Sequence, residues 1–164
     1  MRPRLLFCDI MGKRWKISPR KESDMIPLKE IQRVFENDQF ATSNGMEIME
    51  ADINYSKCRM VIREEHKNAR GAVMGGAIYT LADFAFAVAA NPEHPETVTL
   101  DSSISFMNST RGNVLYATAR CEKDGRRTCC FNIEITDDTS TLVAAVRSTG
   151  MRVGTKPVEI DYNE

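Results

Sequence analysis

The stretch NARGAVMGGAIYTLADFAFAVAA, residues 68–90, decides the fold of this chain. From Gly75 onward its apolar residues recur at the spacing of an α-helix. Asn91-Pro92 ends the predicted helix, because proline disfavours helical geometry in the residue before it. Apolar residues occur on nearly every side, which predicts a helix that is buried all round.

Asp83 is the one acidic residue of this helix, and a carboxylate buried without partners is costly. Its presence predicts either a structural role, with hydrogen bonds or an arginine as partner, or a chemical role as general base or nucleophile. The apolar helix is about 16 residues long, whereas a bilayer needs roughly 20, so we interpret it as a core helix and not a membrane span.

The composition indicates a globular chain without a dominant charge. It has 164 residues and a net charge of -1, which favours neither nucleic acid nor a membrane as partner. Its five cysteines include no C-x-x-C pair and no signal-peptide pattern is found, so we expect a reduced, cytoplasmic protein. His66 and His94 are the only histidines, and we expect no metal site.

Residues 1–24 differ from the rest of the chain. They contain seven basic and three acidic residues with little periodicity. We predict a loosely ordered N-terminal extension, followed by a single domain over residues 25–164, with Met25 as an alternative start. A basic arm that binds nucleic acid is the less favoured interpretation, because the charges are few and scattered.

Further elements are predicted on both sides of the central helix. Residues 27–40 have the spacing of a short amphipathic helix, and Asp124-Gly125 and residues 137–141 have the composition of turns. Alternating patterns predict six strands. They are Met46 to Asp52, Tyr55 to Arg63, Thr97 to Met107, Val114 to Lys123, a strand that includes Cys129 to Ile135, and Leu142 to Val153.

One apolar helix and six strands predict an α+β hotdog fold. In this fold a curved antiparallel sheet of about six strands wraps around one long central helix, here with a short N-terminal helix in addition. In the strand from Thr97, we predict that Val98, Leu100, Ile104 and Phe106 share one face and that Thr99 lies on the other. Pairing of sheet edges would protect exposed strands, so we expect a dimer.

The chain lacks the G-x-S-x-G, G-x-x-x-x-G-K-[ST] and G-x-G-x-x-G motifs. Gly75 and Gly76 at the helix start leave backbone N–H groups free to bind an anion or an oxyanion. Asp83 lies eight residues after Gly75, which is about 12 Å along a helix. If both act on one substrate, they therefore come from different protomers.

The pattern N-x-x-G-x-x-x-G-G-x-x-x-x-L-x-D resembles the signature of the PaaI-like hotdog acyl-CoA thioesterases. The resemblance extends over residues 45–154, where VTLDSSISFM resembles the strand that follows the family's helix. The residues that carry it are Asn68, Gly71, Gly75, Gly76, Leu81 and Asp83.

The resemblance implies hydrolysis of a small or medium acyl- or aryl-CoA, with coenzyme A as part of the substrate and no other cofactor. It implies that Asp83 is general base or nucleophile and that the Gly75 N–H polarises the carbonyl. Asn68 would place the carbonyl or the water, and Thr99 would orient the water; alternatively, Asn68 caps a loop and Thr99 is an ordinary strand residue. The implied assembly is a homodimer or a tetramer formed by two dimers, without nucleic acid or membrane.

The chain departs from the family at Met74, where the usual residue is histidine. The thioether side chain of Met74 donates no hydrogen bond, and we predict that it lines the substrate site with Gly76 and Phe84. Surface arginines are candidates for the CoA phosphates. These are Arg111, Arg126, Arg127 and Arg152.

Two alternative functions remain open at this point. Met74 motivates a non-catalytic acyl-CoA sensor on the same fold. A hotdog dehydratase is less favoured, because neither histidine lies in the motif.

Overall fold

The structure is a computed structural model that describes residues 7–10, 13–16 and 26–157. Strands β1 (Phe7–Ile10) and β2 (Lys13–Lys16) pair antiparallel in a sheet of their own. The rest of the predicted N-terminal extension, Met25 and residues 158–164 lie outside the described residues. The proposed division at residue 25 therefore stays a prediction.

A six-stranded antiparallel sheet forms the body of the domain, in the order β3-β4-β6-β7-β8-β5. The predicted strands are confirmed with small shifts at their ends, and β3 and β5 are the sheet edges. The strands are β3 (Met46–Asp52), β4 (Tyr55–Val61), β5 (Pro95–Phe106), β6 (Val114–Asp124), β7 (Thr128–Asp137) and β8 (Leu142–Pro157).

The central helix α3 (Gly75–Ala90) packs against all six strands of this sheet, which confirms the hotdog architecture. Leu81, Ala85 and Ala89 on the side facing the sheet are fully buried. Phe86 meets Phe131 of β7 edge to face, with ring centroids 5.3 Å apart. Each such ring contributes about 2–3 kcal/mol through burial, so the helix is fixed firmly within the sheet.

The prediction that this helix is buried all round is wrong for the single chain. Gly76 and Asp83 are exposed, and Tyr79 and Thr80 between them are half-buried. These positions form one stripe of α3, because residues three and four apart lie on the same side of a helix. The sheet and the N-terminal helices pack on the other sides, so this stripe faces outward.

The predicted helix over residues 27–40 is two helices, α1 (Leu28–Phe35) and α2 (Gln39–Ser43). Asp38 separates them because its side chain accepts a hydrogen bond from the Ala41 N–H and caps α2. Phe35 meets Phe84 of α3 edge to face, with ring centroids 6.0 Å apart. The N-terminal helices thus cover α3 close to Asp83.

Strand β5 contains a bulge that the alternating pattern does not reveal. Its pairing with β8 shifts between Thr99 and Asp101, and a bulge moves the following side chains to the other face. The predicted common face of Val98, Leu100, Ile104 and Phe106 is therefore wrong. Thr99 lies opposite Gly150 and Phe106 opposite Ala144, so Thr99 and Phe106 share the face toward α3.

Candidate active site

Asp83 and Thr99, two residues predicted to act together, are in contact. The Thr99 hydroxyl donates a hydrogen bond to Asp83 Oδ1 at 3.1 Å. Burial among the surrounding atoms raises the pKa of Asp83, the bond from Thr99 lowers it, and the negative charge of Asp38 raises it. The net shift is upward, which suits a carboxylate that accepts a proton from water.

The N-terminus of α3 is open to a ligand. Met74 is the N-cap residue, its N–H donates to His66 O at 2.8 Å, and its carbonyl accepts from Ala77 N at 3.0 Å. Gly75 and Gly76 occupy the first turn, where N–H groups have no acceptor within the helix. The helix dipole adds partial positive charge, so this end favours an oxygen that becomes negative.

Asn68 shapes the loop that leads to this helix. Its side-chain oxygen accepts hydrogen bonds from Arg70 N at 2.9 Å and Ala72 N at 3.3 Å. Its backbone oxygen accepts one from Gly71 N, and Gly71 has a φ of 76°, in the left-handed region that favours glycine. Asn68 thus has the loop-capping role, and its predicted role in catalysis stays a prediction.

A cavity of about 660 Å³ lies beside Gly75. Its lining includes the apolar side chains of Ile62, Val73, Ile78 and Phe106 and much of the polar loop between β5 and β6. Of this loop, only Arg111 was predicted to belong to the site. Its run Asn108-Ser-Thr-Arg-Gly-Asn113, a polar segment between two strands, is the signal that was available.

The polar loop between β5 and β6, called the cavity loop below, is held by Asp137 at the end of β7. This buried carboxylate accepts hydrogen bonds from Arg111 N at 2.7 Å and Gly112 N at 3.1 Å. It also accepts from Thr139 and Thr141 within its own turn. Burial alone would raise the pKa of Asp137, but these hydrogen bonds outweigh it and hold the pKa well below its usual range.

We expect Asp137→Asn to destabilise the fold by about 2 kcal/mol, because an amide cannot satisfy the same set of donors. The melting temperature should fall by about 4–8 °C. The control is Glu122→Gln, which removes only a surface ion pair with Arg147 and should change little. Equal melting temperatures for wild type and Asp137→Asn would contradict the assigned role of Asp137.

The contribution of Asp137 to the free energy of unfolding should decrease in acid. Because its folded-state pKa is lowered, its stabilising contribution is complete above the unfolded-state pKa, near 4. The contribution is lost as the pH falls from there through the folded-state pKa. Thermal melts of wild type and Asp137→Asn should therefore differ by a constant amount above about pH 5 and converge in acid.

The predicted substrate-binding residues occupy different places. Met74 is half exposed and its terminal methyl group lies beside Gly76, whereas Gly75 lines the cavity. Phe84 is buried against Phe35 and lines a second, smaller cavity of about 290 Å³. The larger cavity beside Gly75 includes neither Met74 nor Phe84 in its lining.

The arginines are also distributed over both ends of the sheet. Arg111 belongs to the cavity loop, whereas Arg126 and Arg127 lie in the turn between β6 and β7 at the opposite end. Arg152 is not a surface cation, and its prediction as a phosphate ligand is wrong. Its guanidinium is buried and donates to Ala90 O, Thr97 Oγ1 and Asp124 Oδ1, each at 2.7 Å.

Two features of the described part of the chain concern metal and membrane binding. Its His, Cys, Asp and Glu side chains form no group of three placed to hold a metal ion. None of its helices is long and apolar enough to cross a membrane.

The sequence model of the thioesterase superfamily matches residues 70–144, a segment that begins just before α3 and ends in β8. This match and the hotdog fold together define the class of protein, that of the thioester hydrolases.

Similarity to individual proteins identifies the family within this class. Acyl-coenzyme A thioesterase PaaI of Escherichia coli is 30% identical over 122 residues, 74% of this chain and 87% of the relative. The E. coli PaaI structure has a TM-score of 0.74 at 28% identity, over 78% of this chain and 94% of the other. A mutant of the phenylacetic acid degradation protein PaaI from Thermus thermophilus has a TM-score of 0.67 at 26% identity, over 71% and 100%. The chain belongs to the PaaI-like hotdog thioesterase family.

Proposed function

We propose that the protein hydrolyses the thioester of a small or medium acyl- or aryl-CoA. The observation that carries this proposal is the hydrogen bond between Thr99 and Asp83, on the outward stripe of α3. Asp83 is exposed and its pKa is raised, which supports a role as general base. The name of the E. coli relative, an acyl-coenzyme A thioesterase, supports the substrate class.

In the proposed reaction, Asp83 takes a proton from a water molecule that attacks the thioester carbonyl carbon. The carbonyl oxygen becomes negative and is stabilised by the Gly75 N–H. The C–S bond then breaks, the carboxylic acid forms, and the CoA thiolate takes the proton from Asp83. A direct attack by the Asp83 carboxylate, with an anhydride that water hydrolyses, is the second route to the same products.

We infer that each site uses two protomers. Gly75 and Asp83 lie at the start and middle of one unbroken helix, about 12 Å apart along its axis. A single thioester group cannot reach both in one chain. Strand β5 is an edge of the sheet and carries Thr99, so a dimer joined at β5 would bring Asp83 and Thr99 close to Gly75 of the partner subunit.

The proposed CoA contacts follow from the same arrangement. Arg111 lies in the loop of the cavity beside Gly75, and it is the candidate for a phosphate bound near that cavity. Arg126 and Arg127 lie too far away in the same chain, at the other end of β6, so they would act from the partner subunit. A dimer or a pair of dimers, and a cytoplasmic location, stay predictions from the sequence.

We expect Thr99→Val to shift the acid side of the pH–rate profile to higher pH. The lost hydrogen bond lowers the pKa of Asp83, so its removal raises that pKa further. Because the base acts unprotonated, activity is lost as the pH falls through its pKa. At neutral pH, kcat/KM should fall about tenfold. Thr118→Val on β6 is the control and should leave the profile in place.

The direct test of the proposed function is thiol release from a panel of acyl-CoAs, from short aliphatic to aryl. Release by the wild type identifies the activity and its preferred acyl group. Binding without release would instead support the non-catalytic sensor. The sensor alternative was motivated by Met74 in place of the family's histidine. Met74 does not favour a sensor over an enzyme, because the proposed oxyanion donor is the Gly75 N–H, which does not depend on the side chain of residue 74.

A further inference from the structure

Phe106 lies at the end of β5 with its ring against the start of α3. A Cβ atom on residue 75 would lie 2.9 Å from Phe106 Cζ and 3.4 and 3.5 Å from its two Cε atoms. The ring edge therefore occupies the space next to the Gly75 Cα atom. More than half of the side chain, 55%, is exposed, and it lines the cavity beside Gly75.

Hydrogen bonds fix the main chain that carries this ring. Phe106 pairs with Ala144 in the sheet. The next two N–H groups, of Met107 and Asn108, both donate to Val143 O, at 2.9 and 3.2 Å. The Asn108 side chain donates to Leu142 O at 2.8 Å. The backbone at the end of β5 is therefore held in place at Phe106 and at the two residues after it, which keeps the ring beside Gly75.

The cavity that Phe106 lines has both apolar and polar lining residues. Ile62, Val73 and Ile78 line it together with the ring, whereas the cavity loop is held in place by Asp137. An acyl group favours the apolar residues, since burial of its carbons is favourable there. Because the ring lies beside the Gly75 Cα atom, an acyl group whose carbonyl binds the Gly75 N–H would have its first carbons near the ring.

We propose that Phe106 is a specificity-determining residue, which admits acyl groups that are unbranched beside the carbonyl and disfavours those that are branched there. The ring occupies the space that a branching methyl group would need. This inference rests on the proposed function, because it assumes that the carbonyl binds at Gly75.

The test compares two isomeric substrates, butyryl-CoA and isobutyryl-CoA, which differ only in branching. The wild type should prefer butyryl-CoA in kcat/KM, and Phe106→Ala should reduce that preference by about tenfold or more. Phe106→Leu keeps an apolar side chain without the ring and should give an intermediate ratio. Phe40→Ala is the matched control, because Phe40 is exposed on α2 and lines neither cavity; its ratio should equal that of the wild type.

Several outcomes are decisive. An equal ratio in wild type, Phe106→Leu and Phe106→Ala would overturn the inference. If the wild type releases no thiol, the proposed function fails, and the inference is then tested by calorimetric binding of ketone analogues in which a methylene group separates sulfur from carbonyl. A preference for the unbranched analogue that Phe106→Ala reduces would support the role of Phe106, and equal binding of both analogues by the wild type would overturn it.

Discussion

Asp83→Asn is expected to lower thiol release from the preferred acyl-CoA by about 10²–10⁴-fold, because the amide cannot accept the proton of the attacking water. The change is nearly isosteric and preserves an oxygen that can accept the hydrogen bond from Thr99. The exposed position of Asp83 predicts that the melting temperature stays close to that of the wild type. Steady-state kinetics and thermal melts on the same samples would measure both effects.

A control separates this effect from a general loss of charge. Glu134→Gln removes an exposed carboxylate on β7 and should leave the rate unchanged. Activity of Asp83→Asn within a few-fold of the wild type would remove Asp83 from the mechanism, whichever of the two routes is considered. Loss of activity together with a lower melting temperature would indicate a structural role instead.

Gly75→Pro should reduce kcat by about 10²–10³-fold more than Gly75→Ala does, because only proline removes the N–H that would stabilise the oxyanion. Both variants place a Cβ atom against Phe106, 2.9 Å from its Cζ atom, so the steric effect is shared. Proline is favoured at the first position of a helix. Met74, with φ of -67° and ψ of 137°, already has the extended geometry that precedes proline.

Mixing the two inactive variants tests whether the site spans two protomers. A mixed dimer of Asp83→Asn and Gly75→Pro chains contains one site with both native groups, so random exchange should restore about a quarter of the wild-type activity. No recovery, with subunit exchange shown independently, would contradict the proposed two-protomer site. Equal rates for Gly75→Pro and Gly75→Ala would exclude the Gly75 N–H as the oxyanion donor.

The central helix could be predicted closely because its ends are encoded locally. Gly75-Gly76 and Asn91-Pro92 mark the two ends, and α3 extends from Gly75 to Ala90. Part of the strand order was also predictable, since the tight turns at Asp124-Gly125 and residues 137–141 connect β6, β7 and β8 as neighbours. A meander of the last four strands is wrong for β5, which pairs with β8 and not with β6. Thr99 was expected near Asp83 from the family resemblance, and the two residues are hydrogen-bonded.

Other features depend on contacts that are distant in sequence. Asp137 holds a loop that lies 25 and 26 residues earlier in the chain, and no local pattern in that loop indicates its partner. Arg152 was expected at the surface because arginine usually is, but it donates to the last residue of α3 across 62 residues. Asp83 is exposed, although the helix was predicted to be buried on all sides. Hydropathy alone does not show which side of a helix has no other element packed against it.

The bulge in β5 makes the active site sensitive to chain length as well as to residue type. Thr99 and Phe106 are seven positions apart, an odd separation that would place them on opposite faces of a regular strand. The extra residue between Thr99 and Asp101 brings them to the same face. Deleting one residue there would turn either the hydroxyl beside Asp83 or the aromatic ring beside Gly75 away from α3, with every side chain otherwise unchanged. In relatives, a gap of one position in this strand would therefore mark a change of function that comparison of residue types alone would overlook.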